Sequence, residues 1–156
     1  MTSKWSNHEK HLAGATAGLN LQGHATAGTL GVLLVMTGWS YAANKDDLTL
    51  ADLGLAGLEY DGANYGRRML GNATWTKDAT NNQSELSADP SVWANLGPGT
   101  DPAIGYILFR EDGASDAQRI FLGFSDAGGF PKDGQDADFT IEWDVAGGVM
   151  SIGDEP

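Results

Sequence analysis

The chain contains no cysteine, which removes disulfides, thiolate metal sites and cysteine nucleophiles from consideration. Histidine is scarce, and His8, His11 and His24 all fall near the start. A serine triad in the rest of the chain would have to borrow its base from that first part. Basic residues number 9 against 21 acidic ones, a formal net charge of −12. Nucleic-acid binders draw affinity from Lys and Arg that neutralise phosphates, so this balance argues against a nucleic-acid partner. Long apolar runs are missing as well. The most apolar stretch, 30-LGVLLVM-36, is far shorter than the roughly 20 residues a membrane-spanning helix needs. The polar start, MTSKWSNHEKHL, lacks the apolar core of a leader. Soluble synthesis and no membrane partner are the expectations.

A chain of 156 residues suits one domain, able to bury roughly 70% of the surface its unfolded form exposes. Its charge is unevenly spread. Residues 1–44 hold Lys4 and Lys10 against Glu9 alone, whereas residues 45–156 hold seven bases against twenty acids. Between Ala13 and Gly28 the sequence AGATAGLNLQGHATAG offers few large side chains to offset the entropy of ordering it. Residues 1–28 therefore read as an extended arm, with a helical turn near Ser6 to Leu12 that Ser6 would cap.

From residue 29 to 156 the signals are those of antiparallel β-structure. The apolar run 29-TLGVLLVM-36 suits a strand covered on both faces. Three further apolar strands, 103-AIGYILF-109, 119-RIFLGF-124 and 138-DFTIEWD-144, are separated by turns rich in Gly, Asp and Pro. In the last of these, Phe139, Ile141 and Trp143 should face the core while Thr140, Glu142 and Asp144 face out. A short helix is expected within 46-DDLTLADLGL-55. A strand is expected over 67–79, with Met69, Ala73 and Trp75 on one side and Arg68, Asn72, Thr74 and Thr76 on the other. More follow over 84–97, broken at Asp89-Pro90, and at 148–152. Seven or eight short strands at this spacing make an all-β fold, an antiparallel β-sandwich or a small barrel.

Few motifs carry chemistry. In 8-HEKH-11 the histidines are three apart rather than four, which does not give the helical zinc geometry. The acids of 133-DGQDAD-138 suit a solvated turn better than a calcium loop, whose bidentate twelfth-position Glu is replaced by Asp144. No carboxylate pair is marked out for glycoside hydrolysis, and 97-GPGTDP-102 lacks the Lys-Ser/Thr of a phosphate cradle. Neither a catalytic, a cofactor-binding nor a metal-binding residue is therefore assigned. Trp75, Trp93 and Trp143 fall on inward strand positions and read as core rather than as a sugar-stacking platform. Trp5, among polar residues, and Trp39 are read instead as partner anchors. Arg67 and Arg68 stand side by side on opposite faces, either pairing with Asp61 or Glu59 or marking a docking patch. The candidate partner-binding residues are thus Lys4, Trp5, Lys10, Trp39 and Arg68.

The order of the pieces resembles a family of small virion proteins of tailed bacteriophages. The resemblance rests on Asn7 and Lys10 in a polar start, 29-TLGVLLVM-36, 63-ANYGRRML-70, 89-DPSVWANL-96, 104-IGYILFRE-111, 120-IFLGFSDAGGFP-131 and 133-DGQDADFTIEWDVAGGVMSI-152. It implies an all-β protein without enzymatic activity, displayed on the particle surface after synthesis in the bacterial cytoplasm. The expected role is a capsid decoration subunit that docks on the major capsid protein through the arm and forms a homo-oligomer, such as a trimer. A head-fibre base, neck or tail component is the alternative in the same class. A carbohydrate-binding module is the alternative from another.

Overall fold

Every residue of strand β2 (Leu30–Met36) is buried. A strand with one wet face alternates, so unbroken burial requires cover on both faces, as the apolar run predicts. The structure is a computed structural model and describes residues 3–5, 29–78, 83–126, 129–143 and 151–152. Its elements are β1 (Ser3–Trp5), β2, helix α1 (Tyr41–Asn44), β3 (Arg68–Met69), β4 (Thr74–Asp78), β5 (Gln83–Ser87) and β6 (Ser91–Leu96), followed by β7 (Ala103–Glu111), a 3-10 turn (Asp116–Gln118), β8 (Arg119–Ser125), β9 (Ala137–Ile141) and β10 (Ser151–Ile152).

Five strands form one open antiparallel sheet in the order β1-β8-β7-β2-β3. A three-stranded sheet, β10-β5-β4, and a two-stranded sheet, β6-β9, are separate from it. The all-β expectation holds, and the main sheet is open rather than closed into a barrel. One of its faces presents Leu30, Val32, Leu34 and Met36 of β2 with Tyr106 and Leu108 of β7. These pack in a single core with Leu86 of β5, Trp93 and Leu96 of β6, Ile141 of β9, and Trp143. That is a sandwich, with strands on both sides of the core. Phe139 and Ile141 face inward and Trp143 is fully buried, while Thr140 and Glu142 are exposed, as the alternation predicts. Asp144 lies outside the described residues.

The opposite face carries Leu33, Val35, Ile107, Phe109, Phe121 and Phe124, and is covered by Trp39, Leu50, Leu53 and Leu55. Here the expected helix over 46–55 does not form. The only helix in this region is the single turn α1, and residues 50–58 run through successive turns. Thr49 donates both its N–H and its hydroxyl to the Asp52 carboxylate, at 3.0 and 2.7 Å. This pairing has the form of a helix start, but the chain does not continue as a helix. Gly54 and Gly57, at φ +60° and +71°, then turn the chain where a side chain would be strained. The leucines reach the core from a coil instead.

The strand expected over 67–79 is likewise two strands, broken where Asn72 takes φ +49°. The break inverts the predicted facing at its start: Met69 is 39% exposed and Arg68 is half-buried. The Trp75 side chain lies outside what is described. In β8 a bulge places Leu108 opposite Gly123 and Phe109 opposite Phe121. Phe121 and Phe124, three apart, thereby share one face, which strict alternation forbids.

Candidate functional site

Three side-chain clusters and the two edges of the main sheet concentrate polar chemistry among the described residues. The first cluster is centred on Arg67. Its guanidinium grips Glu59 through Nε–H and Nη2–H, at 2.8 and 2.7 Å, and Asp116 through Nη1–H and Nη2–H, at 2.5 and 3.0 Å. Arg119 donates to the same Asp116 oxygen at 2.9 Å. Tyr65 donates its hydroxyl proton to Glu59 at 3.0 Å and accepts the Leu34 N–H at 3.1 Å. Burial, reinforced by the Glu59 charge, pushes the Tyr65 hydroxyl far above its ordinary value. Hydrogen bonds from Arg67 hold the Asp116 carboxyl down at about 2. The Arg67 fork is satisfied on both sides, so the cluster clamps the β2 edge, the approach to β3 and the β7–β8 connection together. Of the two acids expected near the arginine pair, Glu59 is the partner. Asp61 instead accepts the N–H and hydroxyl of Thr100, at 2.7 and 2.6 Å.

The second cluster was not legible in the sequence. The buried Tyr60 hydroxyl lies 2.8 Å from Asp133 Oδ1 and 2.9 Å from the Gly97 carbonyl, both acceptors, and receives the Gly134 N–H at 2.8 Å. Asp133 Oδ1 also accepts the N–H groups of Gly99 and Gly134, each at 2.9 Å, and these bonds lower its pKa. Three loops from distant parts of the chain meet here at backbone distance. A Cβ on Gly134 would stand 2.1 Å from the Gly97 oxygen, and one on Gly62 would stand 2.2 Å from it. The acids of 133–138 therefore serve the fold: Asp138 accepts the Asn95 N–H at 3.0 Å, and Asp136 takes φ +54° at the turn. Among the described residues no three acidic or histidine side chains converge as a metal site would require.

The third cluster joins aromatic rings and cations. Arg68 lies over Trp93 at 6.0 Å and Lys132 over Phe139 at 5.5 Å, and the two rings meet edge to face at 5.8 Å. Trp93 donates its indole N–H to the Gly66 carbonyl at 2.7 Å, and Trp143 donates to Ser91 Oγ at 2.8 Å. Both tryptophans are core, as read from their strand positions. Beside Phe139 runs a shallow groove of about 450 Å³ along residues 131–140.

Trp39 is corrected by the structure. Read as a partner anchor, it is 4% exposed and packs on Phe124 at 5.0 Å and Phe121 at 6.5 Å. The Gly38 turn, at φ +106°, folds it back over the sheet. Arg68 is committed to the Trp93 face rather than standing free, and its Nε is buried without an acceptor among the described residues. Lys4 and Trp5 belong to β1, where Lys4 is opposite Phe124 and Trp5 opposite Gly123. Part of the expected arm is thus an edge strand of the main sheet. Lys10 and the 8–11 histidine motif lie outside the described residues, as does the helical turn expected near Ser6 to Leu12.

The main sheet ends in short strands, β1 beside β8 and β3 beside β2. Beside β8, β1 pairs with Gly123–Ser125, and residues 48–50 pair further along, with Leu50 N–H donating to the Arg119 carbonyl and Phe121 N–H to that of Leu48. Beside β2, residues 58–60 and β3 do the same. Edge strands this short keep a sheet edge from templating aggregation. Comparison with protein-family models, curated proteins and solved structures gives no significant match. No described helix is long and apolar enough to cross a membrane.

Proposed function

We propose that this chain is a non-enzymatic structural subunit of a tailed-phage particle, a capsid decoration protein that docks on the major capsid protein through its N-terminal segment. One observation carries the reading. The acid-poor stretch 6–28 is tethered at both of its ends to one sheet, through β1 and β2, while the remainder of the chain is strongly acidic. A partner contacting that stretch meets a near-neutral surface, and the acidic body faces away and repels its neighbours. The arginine and tyrosine clusters fit this role, since they join loops into a stiff platform. The sequence resemblance to small virion proteins points the same way.

The test compares particles made with and without this chain. Its presence in stoichiometric proportion to the major capsid protein, and rebinding of the purified chain to particles lacking it, are the expected results. A chain found only at a few copies per particle, or one that does not rebind, removes the decoration role.

A further inference from the structure

We propose that β1 is an exchangeable strand, which pairs with the β8 edge of its own chain when dilute and with that of a second copy when copies are crowded. The geometry starts from the register. Trp5 is opposite Gly123, Gly123 opposite Leu108, and Leu108 opposite Val32. Trp5 therefore stands in the same row as Val32, three strand spacings away, and Leu30 lies two residues further along. The gap from Trp5 to Leu30 is roughly 16 Å. Residues 6–29 join them, and a connection of that length has a contour of roughly 80 Å. The covalent link is several times longer than its own sheet requires.

The strand itself is short, with three paired residues, so little holds it to one particular copy. It pairs with the backbone of buried residues: Phe124 is 7% exposed and Ser125 is fully buried. Any copy that loses its own β1 leaves an unpaired backbone edge beside buried side chains, and only an equivalent strand restores it. A strand tethered to its own edge competes with that of a second copy at an effective concentration that is on the order of millimolar for a flexible linker. Exchange thus stays minor in dilute solution and becomes competitive in a dense array. The inference draws on the proposed particle role only for that dense setting, because exchange is a property of the free protein.

Absence of cysteine makes the test direct. Ser3 and Ser125 are register partners, at a separation that suits a disulfide after Ser3→Cys and Ser125→Cys substitution. The full chain carrying both substitutions should close within itself on oxidation when dilute. An equimolar mixture of the two single variants, carrying different tags, should yield the mixed disulfide dimer in proportion to protein concentration. A double variant that closes while the mixture gives no mixed dimer up to millimolar protein overturns exchange. A double variant that fails to close overturns the pairing beneath it.

Should Ser125→Cys not fold, sedimentation of the unsubstituted chain carries the test. A dimer that grows with concentration and is lost in Lys4→Pro/Trp5→Pro supports exchange, because successive N–H groups point to opposite sides and one must face β8. A strict monomer throughout overturns it. None of these outcomes depends on capsid binding, so failure here and failure of the decoration role are told apart.

Discussion

The two faces of the main sheet are equally dry and differently built. One is covered by strands β5, β6 and β9, with Trp93 and Trp143 both fully buried and both hydrogen-bonded through their indole N–H groups. The other is covered by turns, with Leu50, Leu53 and Leu55 arriving from coil and Trp39 buried with an indole N–H that meets no acceptor among the described residues. A core can therefore be closed without regular structure, provided that short tethers fix the coil. Here those tethers are the Thr49–Asp52 closure and the backbone bonds from residues 48 and 50 to β8. The strand-covered face is held by ladders, and the turn-covered face by one local closure and a few backbone bonds to β8.

The largest test of this contrast is Trp39→Ala. A buried core tryptophan should cost about 3–5 kcal/mol on truncation, read as a lower midpoint in urea, whereas a surface anchor would leave stability unchanged. A finer test replaces each tryptophan by Phe. Trp93→Phe leaves the Gly66 carbonyl without its donor and should cost about 1–3 kcal/mol more than Trp39→Phe, whose N–H has no partner among the described residues to lose. Equal losses would erase the difference between the faces. Next in size, Gly54→Ala forces a side chain into a left-handed turn and should cost about 1 kcal/mol, with little effect on the sheet seen by circular dichroism.

The smallest effect is electrostatic. Asp116 lies at about 2 in the fold against 3.8 as the ordinary value. Its lowered folded pKa contributes stability that is present above about pH 4 and is lost as pH falls through 3.8 towards 2. Solvent screening of this partly exposed carboxylate keeps the effect below about 1 kcal/mol. Unfolding curves for Asp116→Asn should lie closer to those of the parent at pH 2 than at pH 7. A gap that does not narrow would mean that the Arg67 clamp does not couple to protonation.

Much of the strand-covered face was legible in the sequence. The alternation of Phe139, Ile141 and Trp143 and the unbroken apolar run of β2 are local patterns that map directly onto strand geometry. The turn-covered face was misread for a physical reason. Leu48, Leu50, Leu53 and Leu55 are consistent with a helix until Gly54 and Gly57 are seen to turn the chain at positive φ, and then a coil presents Leu50, Leu53 and Leu55 to the core equally well. Trp39 shows the same limit, since nothing in a Gly-Trp-Ser segment says which way the turn folds. Of the polar clusters, the pairing of Arg67 with Glu59 could be anticipated from proximity along the chain. Asp116 and the Tyr60–Asp133 contact join residues 49 and 73 positions away from their partners, and no local pattern encodes them.

Composition and periodicity by themselves determined an all-β chain, its principal strands, and the separation of an acid-poor beginning from an acidic remainder, because those properties belong to each residue and its near neighbours. Tertiary structure alone decided that residues 3–5 are a strand of the main sheet, that Trp39 is core, and that three loops are tied through one tyrosine hydroxyl. Edge pairing, burial and hydrogen-bond partners are settled only when distant segments compete for the same surface, and that competition is resolved by the fold as a whole.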